Sequence, residues 1–308
     1  MSGATHVMTV RGPVPATDLG VTLPHEHLFI DLLREYRGNG LLNDEALAIE
    51  EVGVFRDAGG GTIVDCTSEG LGRQPAALRR VSEATGLNIV MGSGHYRRPY
   101  LDEPRLDRMS VDDIAVGIVR DLTEGVADTG IRAGIIGEIG CDRYIGALEE
   151  RVFRAAARAH RQTGVTITTH AARWPVGDAQ LDLLEQEGVD PGRVIIGHCD
   201  MVPDPGYHER LARRGAWVQF DTVQGANAWD TQRRLDWIRA LFDAGLEHRL
   251  LLSQDVCLTT DLVAYGGSGY GYLVTGFRER LRRDGLSEHA LSTLLEHNPR
   301  RALTGGPG

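Results

Sequence analysis

The sequence contains no lysine: all 33 of its lysine-plus-arginine positions are arginine. That absence removes whole classes of chemistry. A Schiff-base aldolase, a pyridoxal phosphate enzyme with its internal aldimine, a Walker A loop and a serine–lysine dyad each require a lysine. A carbamylated lysine bridging two metal ions is excluded on the same ground. Cysteine is scarce as well. Cys66, Cys141, Cys199 and Cys257 are scattered with no CxxC pair, which argues against a zinc ribbon or redox motif and for reduced, buried thiols. No apolar run approaches the ~20 residues of a membrane span. The first residues, MSGATHVMTVRG, lack the charged-then-apolar order of a signal peptide. A cytoplasmic location without membrane contact is therefore expected. Positive charge is in deficit: the formal net charge is −10. Nucleic acid is a poor partner for such a chain, because phosphate binding needs basic surface.

What the sequence does have is alternation. Apolar runs of strand length lie at 20–27, 62–68, 88–94, 133–140, 165–171, 193–200, 216–222 and 249–256. Amphipathic helical stretches separate most of them, such as 44–58 and 231–245, and several end on a glycine, a C-cap signal. Eight strands with intervening helices predict an α/β chain folded as a (β/α)8 TIM barrel. The segment 6–20 precedes the first strand and predicts a short N-terminal hairpin over the barrel bottom. No linker, repeat or low-complexity tract interrupts the pattern, so residues 1–308 read as one domain.

In a barrel of this kind the chemistry sits at the C-terminal ends of the strands. The first strand ends in His25-Glu26-His27, and residues two apart in extended backbone face the same side. Glu138 lies inside the apolar run AGIIGEIG, where an unpaired carboxylate would be costly. His170 ends the fifth strand, His198 the sixth and Asp255 the eighth. Six nitrogen or oxygen donors thus converge from five strands. Imidazole with carboxylate favours zinc, with manganese, iron or cobalt as the other choices, over calcium and magnesium. One catalytic zinc takes three protein donors, so six suggest two divalent ions. His25, His27 and Asp255 are then expected on one ion, His170 and His198 on the other, with Glu138 and a hydroxide between them.

HEH on strand one, TTH on strand five, GHCD on strand six and SQD on strand eight resemble the phosphotriesterase-related branch of the amidohydrolase superfamily. The resemblance runs from VRGPVPATDLGVTLPHEHL to NPRRALTG. The best-known members use a carbamylated lysine as the bridge. This chain departs there, with Gly137 at the nearest match and Glu138 beside it, and is similar instead to the homology proteins that carry GEIG or AEIG. The resemblance implies hydrolysis by a hydroxide held between two metals, with Asp255 taking its proton. It also places Tyr96 beside the metals, where its hydroxyl would reach a substrate oxygen. Asp221 is expected to accept an imidazole N–H. Thr222 stands where many lactonases carry arginine or histidine, so their leaving-group contacts do not carry over.

The expected reaction is attack on a carbonyl centre of a lactone, ester or amide. Phosphotriester hydrolysis and a non-catalytic barrel are the alternatives. Arg97, Arg98, Arg143 and Arg173, with Arg73, fall in loops expected near the mouth and would suit a substrate with an anionic tail. Trp174 and Trp229 would supply an apolar wall. A small-molecule substrate and a homodimeric assembly are the partners expected.

Overall fold

Each of the eight apolar runs forms a strand, and all eight join one parallel sheet. They are β1 (Val21–Glu26), β2 (Gly60–Asp65), β3 (Asn88–Ser93), β4 (Ile135–Gly140), β5 (Ile167–His170), β6 (Val194–Ile196), β7 (Trp217–Phe220) and β8 (Leu250–Leu252). The strands neighbour one another in chain order. The computed structural model describes residues 5–225 and 228–305, and the side chains of residues 228 and 229 also lie outside the described set. Continuous Val, Ile and Leu runs are what a parallel sheet requires, because its strands are covered on both faces.

Helices follow the strands: α1 (Glu45–Asp57), α2 (Pro75–Thr85), α3 (Val111–Thr123), α4 (Ala147–Thr163), α5 (Gly177–Gln186), α6 (Pro205–Arg213), α7 (Ala228–Asp243) and, after a wide turn at Leu273–Phe277, α8 (Arg278–Arg283). Local chemistry sets their ends. Asp44 caps α1 by accepting from the Leu47 N–H at 3.1 Å, and Ser110 with Asp113 forms a capping box at α3. Gly164 stops α4 at φ +71°, a conformation glycine adopts without steric cost. The helices bury one face against the sheet, with Val52 and Phe55 from α1, Leu78 and Val81 from α2, and Val152 and Phe153 from α4. Each such side chain stabilises the fold by roughly 1.5–3 kcal/mol.

A second apolar cluster takes Val64, Val90, Ile135, Ile195, Trp217 and Leu251 from six different strands. Val7 packs against it from the N-terminal hairpin, in which His6–Thr9 pairs antiparallel with Gly12–Pro15. The expected hairpin is present, and its Val7 closes this inner layer. Among the described residues, no helix is long and apolar enough to cross a membrane.

The barrel closes between β1 and β8 without a regular ladder. Asp255 N donates to His25 O and His27 N to Val256 O, both at 3.3 Å. The carboxylate of Glu26 spans the seam. It accepts from Ser253 Oγ at 2.7 Å, Gln254 N at 2.8 Å and Val256 N at 2.8 Å. Strand ends are the main correction to the sequence reading. β6 stops at Ile196 and β8 at Leu252, before His198 and Asp255. Those two residues adopt left-handed backbone, with φ +56° and +51°. Left-handed non-glycine residues cost on the order of 1–3 kcal/mol and concentrate at functional sites.

Candidate metal centre

The chain leaving β1, β4, β5, β6 and β8 brings all six candidate donors to one point. Glu138 is the hub. Its Oε2 lies 3.6 Å from His25 Nε2, 3.3 Å from His170 Nδ1 and 3.3 Å from His198 Nε2. Its Oε1 lies 3.6 Å from His27 Nε2. Asp255 Oδ1 completes the other side, 3.6 Å from His25 Nε2 and 3.3 Å from His27 Nε2. Close donor triads form at His25, His27 and Asp255, and at Glu138, His170 and His198. A third triad, His25, His198 and Asp221, relies on a carboxylate already engaged: Asp221 Oδ1 lies 2.8 Å from His198 Nδ1 and Oδ2 2.9 Å from its N.

These spacings fit a metal. Donors held tetrahedrally at about 2.1 Å from one ion lie about 3.4 Å apart. The His25 side chain is fully buried, yet neither ring nitrogen has a hydrogen-bond partner among the described residues. An orphaned buried imidazole is unfavourable unless something else takes its lone pair. The glycines beside Glu138 let its strand approach β5 more closely than any side chain would allow. A Cβ on Gly137 would meet Thr168 O at 2.2 Å, and one on Gly140 would meet His170 Cβ at 2.6 Å.

The groups perturb one another strongly. Burial opposes ionisation of Glu138, but the surrounding His25, His170 and His198 outweigh it and hold the carboxyl well below its ordinary range. Burial likewise opposes ionisation of Asp255, and His27, His198 and His25 bring it below its usual value. His27 is pushed by burial toward the neutral form, yet Asp255 and Glu138 raise it to about 9. Burial lowers His170, with help from the neighbouring His198.

A cavity of about 430 Å³ opens above the donors. Its wall includes His27, Glu138, His170, His198 and Asp255 together with Ile30, Leu32, Tyr36, Trp174, Met201 and Leu258. Tyr96 also lines it, with its hydroxyl 3.0 Å from His170 Nδ1. Burial pushes its phenol well above the usual value, so it stays protonated and able to donate.

The arginines separate. Arg97 and Arg173 line the cavity; Arg98 and Arg143 are not among its lining residues. The Arg97 guanidinium is engaged by Glu35 and by Asp142 at 3.3 Å, and lies 5.1 Å from the Tyr96 ring centroid. Arg98 is exposed and bonded to Glu103 at 3.0 Å. Arg143 stacks 4.8 Å from the centroid of Trp174, which is itself half-exposed at the rim. Arg73 is structural: it bonds Gly92 O at 2.8 Å and Asp121 at 2.9 Å. The Trp229 side chain lies outside the described residues.

Sequence reasoning missed several supporting groups. Thr67 Oγ1 lies 2.9 Å from His27 Nδ1, leaving Nε2 to face the centre. Asp65 accepts from Leu28 N at 2.8 Å and anchors the chain just past His27. Glu26 sits between the two histidines of HEH but turns to the seam, where burial pushes it up to about 8 against its donors. The alternation of side chains along β1 was the available signal, since a residue between two inward-facing ones must point elsewhere.

Similar proteins share this barrel and its family. The sequence model of the phosphotriesterase family matches residues 5–303. A phosphotriesterase homology protein of Escherichia coli (strain K12) is 37% identical, over 91% of this chain and 96% of its own length. The crystal structure of a resiniferatoxin-binding protein from Rhodobacter sphaeroides superposes with a TM-score of 0.92 at 37% identity, covering 98% of this chain and 95% of that one. An N-acetyltaurine hydrolase of Homo sapiens is 29% identical over 97% of both chains. With this family match and its barrel shared, the chain belongs to the phosphotriesterase family of metal-dependent hydrolases.

Proposed function

We propose that this chain hydrolyses a carbonyl compound, an amide, ester or lactone with an anionic tail, at a centre of two divalent metal ions. The observation that carries the reading is Glu138, one carboxylate within 3.6 Å of nitrogens from four histidines. His25, His27 and Asp255 would hold one ion, and His170 and His198 the other, with Glu138 shared. Such ions, when bound, bring the pKa of a water toward neutrality and polarise a carbonyl oxygen.

The chain's own residues supply the rest. Asp255 is the carboxylate best placed to move a proton, since its side chain is 17% exposed toward the cavity while that of Glu138 is 3% exposed. It would accept a proton from the attacking water and return it to the leaving group. Tyr96 would donate its hydroxyl hydrogen to the substrate oxygen. The apolar wall of Ile30, Leu32, Met201 and Leu258 would exclude water from the reacting carbon.

For the tail, Arg173 is the strongest of the candidate arginines. It lines the cavity, and among the described residues no carboxylate lies within ion-pair distance of it. The similarity to an N-acetyltaurine hydrolase supports an amide with an acidic tail. The test is a hydrolysis screen of zinc- and manganese-loaded protein against N-acyl amino acids and sulfonates, lactones and phosphotriesters. Each acid is paired with its neutral ester. Preference for the acids supports the reading; preference for neutral phosphotriesters refutes it.

A further inference from the structure

We propose that Arg234, a buried residue of α7, is a positioning residue for the metal centre and acts on His198 through Asp200, Thr222 and Asp221. The inference rests on the metal reading of the centre.

Arg234 differs from the other arginines of its helix. Arg233 and Arg239 are 41% and 46% exposed at the side chain, whereas Arg234 is 10% exposed. Its Nε donates to Asp200 Oδ2 at 2.6 Å, and its terminal nitrogen to Thr222 Oγ1 at 2.6 Å. The Asp200 side chain is fully buried and gathers three donors where β7 ends. It accepts from Asp221 N at 3.2 Å, from Thr222 N at 3.1 Å and from Thr222 Oγ1 at 2.7 Å. A buried carboxylate needs such a set of donors and a cation, and Arg234 is the cation.

The consequence falls on the next side chain. With its backbone N–H held by Asp200, Asp221 presents both carboxylate oxygens to His198. They lie 2.9 and 3.1 Å from the His198 N–H, and Oδ1 lies 2.8 Å from Nδ1. That geometry puts a ring hydrogen on Nδ1 and makes Nε2 the nitrogen turned to the centre, 3.3 Å from Glu138, where it would meet an ion. Donation from a ligating imidazole to a carboxylate fixes its tautomer and orientation. His198 also sits in left-handed backbone, at φ +56°, and so depends on outside contacts to stay there. Without Arg234, Asp200 would be left with an uncompensated charge beside Asp221. The end of β7 would rearrange and release the His198 ring.

The chain of contacts also accounts for Thr222. Its hydroxyl is spent between Arg234 and Asp200, although the residue lines the cavity.

The experiment compares the wild-type protein with Arg234→Met and Arg234→Lys. The first readout is the ring-nitrogen spectrum of His198 by 15N NMR in metal-free protein. The second is zinc affinity by chelator competition, alongside kcat and KM. Arg234→Met is expected to lose the Nδ1-protonated signature. It should weaken one of the two zinc sites by the roughly 10–100-fold typical of outer-shell partners, and lower kcat more than it raises KM. Arg234→Lys should recover part of each. A folded Arg234→Met with the wild-type His198 spectrum and zinc affinity overturns the proposal. Should Arg234→Met fail to fold, Thr222→Val removes the bridging hydroxyl and is read in the same way. If the wild type takes up no zinc yet Arg234→Met still alters His198, the metal reading falls while the positioning role stands.

Discussion

His25 and His27 lie where solvent barely reaches, at 0% and 2% side-chain exposure, whereas His170 is 13% exposed and looks into the cavity. The two halves of the centre are held by different means. Around His25 and His27 the backbone of β1 is stitched to the β8 end by Glu26, and among the described residues the His25 ring has no hydrogen bond on either nitrogen. Around His198 a hydrogen bond does the orienting, its Nδ1 donating to Asp221 at 2.8 Å, while His170 has the Tyr96 hydroxyl 3.0 Å from the nitrogen that faces Glu138. Within the first half His27 is oriented by Thr67, so it is His25 that is shaped by burial and gains most from a bound ion. In the second half His198 is preset by Asp221 and is as buried as His27, at 2% exposure, and His170 is the member open to substrate. Asp255 joins the two halves, packed against His27 yet partly exposed, which is the position a proton carrier needs.

Glu138→Gln should break both halves together. The amide keeps the shape and removes the charge that offsets two cations. Turnover is expected to fall by more than the ~10²–10⁴-fold typical of an acid–base group, with metal content reduced at both sites. Asp255→Asn should act on the first half and on proton transfer, lowering kcat by ~10²–10⁴-fold while the melting transition stays cooperative. An unchanged rate in a folded protein would move the proton role elsewhere.

Arg173→Ala addresses the open half alone. Loss of one charge-assisted hydrogen bond, ~1.5–3 kcal/mol, should raise KM for an acidic substrate roughly 10–100-fold and leave its neutral ester unaffected. Equal effects on both members of the pair would make this side chain part of the rim only. The smallest effect is expected at the seam. Ser253→Ala removes one donor to Glu26 and one acceptor of the His25 N–H, and should cost about 1 kcal/mol in urea denaturation with both metals retained.

Much of this was legible in the chain because burial writes itself into residue type. Strands covered on both faces need Val, Ile and Leu runs, so the eight strands and their order followed from RVIIGHCD, RLLLSQDV and their counterparts. The polar residues closing those runs, with Glu138 inside one, gave the six donors, although His198 and Asp255 lie beyond the strands in left-handed turns that residue type does not announce. Charged side chains were harder. Arg97, Arg98 and Arg73 read alike in sequence, yet one is clamped between Glu35 and Asp142, one faces solvent with Glu103, and one bonds Asp121. An arginine's partner comes from another element, and its long stem lets small changes in packing decide which one. Arg234 escaped notice for the same reason: nothing in TQRRLDWIRALF marks the second arginine as the one that turns inward, except the apolar spacing around it.

The central claim is that one carboxylate serves two ions. The most direct measurement is metal content per chain, by elemental analysis of wild-type and Glu138→Gln protein purified without chelator and then loaded with zinc. The account predicts about two ions per wild-type chain, as expected for six donors around a shared carboxylate, and fewer than one in the variant. A wild-type value that stays near zero, or a variant that still binds two ions as tightly, would contradict it.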